Sequence, residues 1–243
     1  MKKIATVYCL LYGNHFKLHK RLIESLRTNL PKGLADLIIW CNTVGEETKV
    51  YLRTLKFSGS TIFSDENMPK YKVMGMLFRG EYEKVKAPTT PWVIWFDDDS
   101  HIKSADWWKK TLAFIRRKKS ENICYLGQPW YVHYLPGQWR FVESSRWFRD
   151  IPPKKFPTKS RTNKPGVRFA QGSYWWLRTD ILRKLNWPDW RLNHNGGDTL
   201  LGEAIRQQGL PFHEFQYGVK INDGKRRGLS EAPAGATNRK KRR

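Results

Sequence analysis

The sequence is short of cysteine, of acidic charge and of long apolar runs. Its three cysteines, Cys9, Cys41 and Cys124, stand in apolar, strand-like surroundings without CxxC spacing. That excludes a zinc ribbon or a disulfide framework and points to buried free thiols in a reducing, cytoplasmic setting. No stretch approaches the roughly 18 apolar residues of a bilayer-spanning helix, so no transmembrane segment is expected. The opening "MKKIATVYCLLYGNHF" has a basic head and an apolar body, but no small-residue cleavage pattern follows it. It reads as a first strand, not a leader. Internal repeats are absent too, which excludes a solenoid.

Acidic residues number 22 against 45 lysines and arginines, a formal net charge of +23 over 243 residues. Such an excess implies a polyanionic partner, either nucleic acid or an anionic membrane surface. Apolar and aromatic residues are plentiful: 40% of the chain is hydrophobic, 14% is aromatic and 12 residues are Trp. That is enough to bury the core of one large domain, and it excludes broad disorder.

Periodicity divides the chain in two. Residues 4–11 form an apolar run ended by Tyr12-Gly13-Asn14, the pattern of a buried strand and a turn. Residues 16–30 place Leu18, Leu22, Ile23 and Leu26 at helical spacing, and Pro31 and Gly33 close the helix. The alternation continues with strands in "LADLIIWCN", "STIFSDE" and "PWVIWFDDD", and helices in "GEETKVYLRTL", residues 70–79 and residues 105–118. It predicts right-handed βαβ units in an α/β fold with a mostly parallel sheet. Ligands of such sheets bind beyond the carboxyl ends of the strands. Here those ends carry Tyr12-Gly13-Asn14, Asn42, Asp65 and Asp97-Asp98-Asp99.

After residue 122 the pattern turns to antiparallel strands, in "NICYLGQPWYVHYL", "GQWRFVESSRWF" and "VRFAQGSYWWL". Helices follow in "RTDILRKLN" and "NGGDTLLGEAIRQQG". Residues 149–168 read as a long loop rich in Pro, Lys and Arg, and residues 223–243 as a basic, flexible tail.

The stretch "TPWVIWFDDDSHI" sets three aspartates at the end of a buried strand. Carboxylates in that position can converge on a hard divalent cation, which takes oxygen ligands and completes its shell with water or phosphate. A solvated acidic turn, or Asp99 capping the next helix, is the structural alternative.

Together with three other segments in order, this stretch resembles the GT-A glycosyltransferases. "TVYCLLYGN" with "LIESLRTNLP" looks like their nucleotide-binding opening, and "WVIWFDDDSHI" is similar to their DxD metal element. "FAQGSYWWLRTDILRKLN" resembles the acceptor-side strand and helix, and "GGDTLLGEAIRQQGL" the helix that carries the catalytic base. The resemblance runs over residues 4–220. It implies a Rossmann-like αβα sandwich as a single domain over 1–222, with a nucleotide-sugar-binding half (1–121) and an acceptor-binding half (122–222).

The resemblance further implies Asp97 and Asp99 as ligands of Mn²⁺ or Mg²⁺, with His213 as a third ligand and Asp223 behind it. Tyr12, Asn14, Asp65, Lys70 and Asp97 would contact the nucleotide-sugar donor, a UDP-sugar, and Asp198 would be the general base of an inverting transfer. One departure is visible: the Glu-Asp pair usual at the base reads Gly197-Asp198 here. An N-cap for Asp198 and a core histidine for His213 are the structural alternatives.

The positive charge bears on the acceptor. Phosphate neutralisation supplies most non-specific affinity for DNA, and the basic clusters of this chain are interleaved with aromatics. Trp130, Trp175, Trp176 and Arg168 are the expected acceptor contacts. The expected reaction is sugar transfer to a hydroxymethylated pyrimidine in DNA, as virus-encoded DNA-modifying glycosyltransferases perform in the host cytoplasm. Two alternatives stand beside it. One is a peripheral enzyme building lipopolysaccharide or a cell-surface glycan, anchored by exposed Trp107-Trp108 and Trp175-Trp176 pairs. The other is a non-catalytic nucleic-acid-binding protein, which would not hydrolyse a nucleotide sugar.

Overall fold

The strands of the first half are apolar on both sides, and the fold covers both. The computed structural model describes residues 2–55, 59–118, 121–133, 141–142, 144–145, 166–193 and 196–221. Its strands are β1 (Ala5–Tyr12), β2 (Ala35–Asn42), β3 (Ser60–Ser64), β4 (Trp92–Asp97), β5 (His101–Ile102), β6 (Tyr125–His133), β7 (Gly166–Arg178), β8 (Phe212–Glu214) and β9 (Val219–Lys220). The helices are α1 (Phe16–Asn29), α2 (Glu46–Thr54), α3 (Lys70–Arg79), α4 (Trp107–Arg117), α5 (Thr179–Leu185) and α6 (Gly197–Gln207).

Seven strands form one sheet in the order β3-β2-β1-β4-β7-β6-β8, and β5 pairs with β9 separately. Strands β1 to β4 run parallel. β7 is antiparallel to both β4 and β6, so β6 and β8 return to the common direction. The result is the expected α/β sandwich with a mostly parallel sheet.

Side-chain alternation sorts the two cores. Val7, Cys9, Leu11, Ile39, Cys41, Ile94 and Phe96 meet Leu22, Ile23 and Leu26 of α1 and Trp107 of α4. Tyr8, Leu10, Trp40, Val93 and Trp95 meet Val73, Met74 and Leu77 of α3, together with Leu200, Leu201 and Ala204 of α6.

Trp175 and Trp176, being adjacent on β7, enter opposite cores. Trp175 stacks on Trp95 with centroids 6.1 Å apart, whereas Trp176 packs among Trp92, Trp107 and Trp108. They are 1% and 0% exposed. The expectation that they contact the acceptor is therefore corrected: β7 lies inside the sheet, flanked by β4 and β6, and helices cover both of its faces. Trp107 and Trp108 are buried as well, which removes the aromatic anchors from the membrane-surface alternative.

Phe141 and Val142, expected in a strand, are helical. The basic loop up to residue 165, the basic tail and Asp223 lie outside the described residues. Among the described residues no helix is long and apolar enough to cross a membrane. All three cysteines are buried free thiols, and burial pushes Cys41 and Cys124 up to about 12. They stay protonated and unreactive at neutral pH.

Candidate active site

Strand order brings the chemistry to the carboxyl edge of β4. β1 is flanked by β2 on one side and β4 on the other, which makes the β1–β4 boundary the point where ligands of open α/β sheets bind. Asp97 closes β4 opposite Leu10 of β1.

The three aspartates then diverge. Asp98 is fully buried; its Oδ2 accepts from the Tyr12 N–H at 3.0 Å and lies 3.3 Å from His19 Nε2. Nδ1 of His19 is 2.8 Å from the Thr48 hydroxyl. Asp98 is thus a strut that ties the end of β1 and α1 to the turn, not a ligand-facing carboxylate. Asp97 turns the other way. Its Oδ2 accepts from Lys70 Nζ at 2.6 Å and its Oδ1 from the Trp95 indole at 2.8 Å. Asp99 follows in the turn, half-buried.

Lys70 opens α3, where a cation works against the helix dipole. Carboxylates hold it there. Its ammonium also donates to the Gly172 carbonyl of β7 at 2.9 Å. Burial would pull its pKa down, but Asp97, Asp198 and Asp99 more than reverse this and hold it above the ordinary lysine value. The segment leading into α3 is fixed by buried Asn42: its amide donates to Asn67 Oδ1 and to the Met68 carbonyl, and its Oδ1 accepts from the Met68 N–H.

Asp198 sits in the first turn of α6, behind Gly196 at φ +82°, a left-handed position that suits glycine. No side-chain capping bond is made at this terminus. Instead the Tyr71 hydroxyl donates to Asp198 Oδ1 at 2.8 Å and accepts from its N–H at 2.9 Å. Burial raises the Asp198 pKa above the ordinary aspartate value, with Lys70 and Tyr71 opposing the rise. A desolvated carboxylate beside a fixed ammonium can accept a proton at neutral pH.

The space around that carboxylate is tight. A Cβ on Gly172 would lie 2.0 Å from Asp198 Oδ2. It would also lie 2.6 Å from Cγ and 2.8 Å from Oδ1, so the whole carboxyl group must shift, which costs less than moving the strand. Gly172→Ala is therefore expected to fold normally by thermal unfolding yet lose activity by roughly 10²-fold, the cost of displacing a reacting group by about 1 Å. Unchanged activity would show that the placement of this carboxyl group does not matter to turnover.

No protein-family model matches the sequence, and no curated protein matches it. Solved structures do match the folded chain. A mannosyltransferase from Pyrobaculum calidifontis, in complex with GDP-Man and Mn²⁺, aligns over 94% of this chain with a TM-score of 0.61 at 13% identity. Residues 1–349 of TarS from S. aureus align over 88% with a TM-score of 0.56 at 14% identity. GalNAc-T7 with UDP, GalNAc and Mn²⁺ also aligns over 88%, with a TM-score of 0.56 at 12% identity. The chain has the GT-A fold. It spans 59%, 58% and 44% of the length of those three chains.

The carboxyl edge of this GT-A sheet holds Asp97, Asp99, Lys70 and Asp198 together. Asp97 and Asp99 offer the oxygen donors that a hard cation takes, and the Lys70 ammonium against Asp97 shows that this spot stabilises positive charge. Among the described residues no three His, Cys, Asp or Glu side chains form a ready cage. Magnesium-type binding through one or two carboxylates plus substrate phosphates requires none.

His213 is not part of this edge. It lies on β8, opposite Leu126 of β6, three strand positions from β4, or about 14 Å at ordinary strand spacing. Its Nε2 pairs with Glu121 at 3.0 Å and its ring meets Phe114. The expected third metal ligand is corrected on that ground.

Other expected residues sit around the rim of the GT-A sheet. Tyr12 is half-buried and Asn14 is exposed, with its Oδ1 only 2.1 Å from where a Gly45 Cβ would be. Asp65 is exposed and 3.8 Å from Lys49. β6 and β7 run on beyond the level of Asp97 as an arm that carries Trp130, 50% exposed, and Arg168, exposed and ion-paired with Glu214. Nothing in the local sequence marks Tyr71, Gly172 or His19 as part of this site. The one local cue was a lysine placed against the dipole at the start of α3.

Proposed function

We propose that the protein is a metal-dependent, inverting glycosyltransferase that moves a sugar from a nucleotide-sugar donor to a hydroxymethylated pyrimidine of DNA. The observation that carries this reading is the meeting of half-buried Asp198 with the Asp97–Lys70 pair at one edge of a GT-A sheet. Asp198 takes the proton of the acceptor hydroxyl. The freed oxygen attacks the anomeric carbon opposite the departing nucleoside diphosphate, which inverts that centre. Lys70, fixed by Asp97 and the Gly172 carbonyl, presents a positive charge to the diphosphate. Asp97 and Asp99 would hold Mn²⁺ or Mg²⁺, whose chemistry when bound is to stabilise negative charge on the leaving group.

Nucleotide-sugar and Mn²⁺ use is supported by the solved structures of like fold, one holding GDP-Man with Mn²⁺ and another UDP, GalNAc and Mn²⁺. A UDP-sugar is the donor proposed here. The acceptor rests on the net charge of +23, with Trp130 and Arg168 on the projecting arm as its contacts. A base inside a duplex would be reached by flipping. The setting that fits this acceptor is the cytoplasm of a virus-infected host.

The test is a matrix of nucleotide sugars against unmodified DNA, hydroxymethylated DNA and anionic vesicles carrying glycan acceptors, read by mass spectrometry. Transfer confined to hydroxymethylated DNA is expected. Transfer confined to the lipid-borne acceptor overturns the DNA assignment, and no Mn²⁺-stimulated use of any nucleotide sugar overturns the enzyme. Within it, Asp99→Ala is expected to abolish Mn²⁺-dependent transfer while the thermal midpoint holds. Asp97→Ala should abolish transfer and also lower the midpoint, because it leaves the Lys70 ammonium without its nearest counter-charge. Full activity of both variants across a Mn²⁺ titration would sink the metal assignment.

A further inference from the structure

We infer that Tyr71 is the positioning residue of the base, and that Gly197 is glycine in order to admit the Tyr71 ring. The inference rests on the glycosyltransferase reading above and concerns the one place where the sequence departs from the Glu-Asp pattern. A Cβ on Gly197 would lie 2.2, 2.4 and 2.6 Å from Cζ, Cε1 and Cε2 of Tyr71. These are atoms of a ring that is 3% exposed and packed edge-on against Trp187. Its backbone is held too, the Tyr71 N–H donating to the Asn193 carbonyl at 3.0 Å. Neither ring nor backbone can yield cheaply, so any side chain at 197 evicts the ring. The position that would carry an acidic neighbour of the base is therefore filled by a phenol from α3.

That phenol replaces more than volume. Its hydroxyl stays a neutral donor, because burial and the adjacent Asp198 carboxylate push its pKa well above the ordinary tyrosine value. One hydroxyl then makes two bonds to the same residue, donating to Oδ1 and accepting from the N–H. Together they fix the carboxylate plane relative to the axis of α6. Oδ1 is occupied, and the whole carboxyl group stands over Gly172, where a side chain would displace it. Tyr71 thereby sets the orientation of the carboxyl group that receives the acceptor's proton.

Tyr71→Phe keeps the ring, its Trp187 contact and the fit over Gly197, and removes only the hydroxyl. A kcat lowered by roughly tenfold to a hundredfold, with donor Kd and thermal midpoint close to wild type, is the expected result. An unchanged kcat overturns the inference, and a loss confined to donor KM reassigns Tyr71 to donor binding. Wild-type protein that consumes no nucleotide sugar fails differently: it removes the glycosyltransferase reading and the inference with it. Should Tyr71→Phe not fold, the pair Gly197→Ala and Tyr71→Ala decides. Gly197→Ala is expected to lower the unfolding midpoint in the wild-type background and to be nearly neutral beside Tyr71→Ala. Additive shifts overturn the contact.

Discussion

Asp198→Asn is expected to abolish sugar transfer and, at the same time, to make the protein more stable near neutral pH. The loss of the general base should lower kcat by roughly 10² to 10⁴-fold while donor affinity is kept. The gain in stability follows from the sign of the pKa shift. Burial raises the folded-state pKa of Asp198 above its ordinary value, so the stability that its protonated form contributes is present below the unfolded pKa. That contribution is lost as pH rises through the folded one. Near neutrality the wild type holds an ionised carboxylate in a site that disfavours it, and the neutral amide is relieved of that cost. Thermal midpoints of the two proteins should converge as pH falls and Asp198 takes up its proton. Turnover of the wild type should fall over the same interval, its acid limb lying above the ordinary aspartate value. A variant that is less stable at every pH, with turnover intact, would make Asp198 a structural carboxylate of α6.

Lys70→Met carries the opposite sign. The Lys70 and Asp97 side chains are only 13% and 16% exposed, and the same ammonium offsets Asp198 and Asp99. Removing it while keeping most of the side-chain volume strands several carboxylates in one poorly solvated place. Breaking such a pair costs about 3 kcal/mol, to be read from denaturant unfolding near neutral pH. The deficit should shrink as pH falls and the carboxylates protonate. Lys70 lowers the Asp198 pKa, so without it the acid limb of any residual turnover moves to higher pH. Stability equal to wild type would show that the pair only balances its own desolvation. An acid limb left in place would show that Lys70 does not sense Asp198. The variant also separates from Asp198→Asn by donor affinity, which should fall when a charge facing the diphosphate is lost.

These two substitutions act on one cluster whose members come from distant parts of the chain. Tyr71 and Asp198 are 127 residues apart, Lys70 and Gly172 are 102 apart, and Lys70 and Asp97 are 27 apart. Resemblance to known motifs named Asp97, Lys70 and Asp198 singly, but no local pattern says that they touch. Gly197 shows the limit most clearly. In the sequence it is a missing glutamate; in the fold it is the space that a tyrosine from another helix requires.

The sequence by itself determined the α/β alternation, the buried parallel strands and the aspartates at the end of β4. These are encoded in short-range periodicity: apolar residues in unbroken runs where helices cover both faces, and at helical spacing between them. Only the tertiary structure decided which side chains are accessible. Trp175 and Trp176 carry the same letters as a binding platform, yet β7 is an interior strand, so both are core. His213 looks like a ligand in the chain but belongs to a strand three positions away from the aspartates. Asp97 and Asp98, neighbours in sequence, diverge where β4 gives way to the turn, one toward Lys70 and the other toward His19. The reason is common to all of them. Strand order sets what stands beside each residue, and that order arises from contacts between segments that no window of adjacent residues contains.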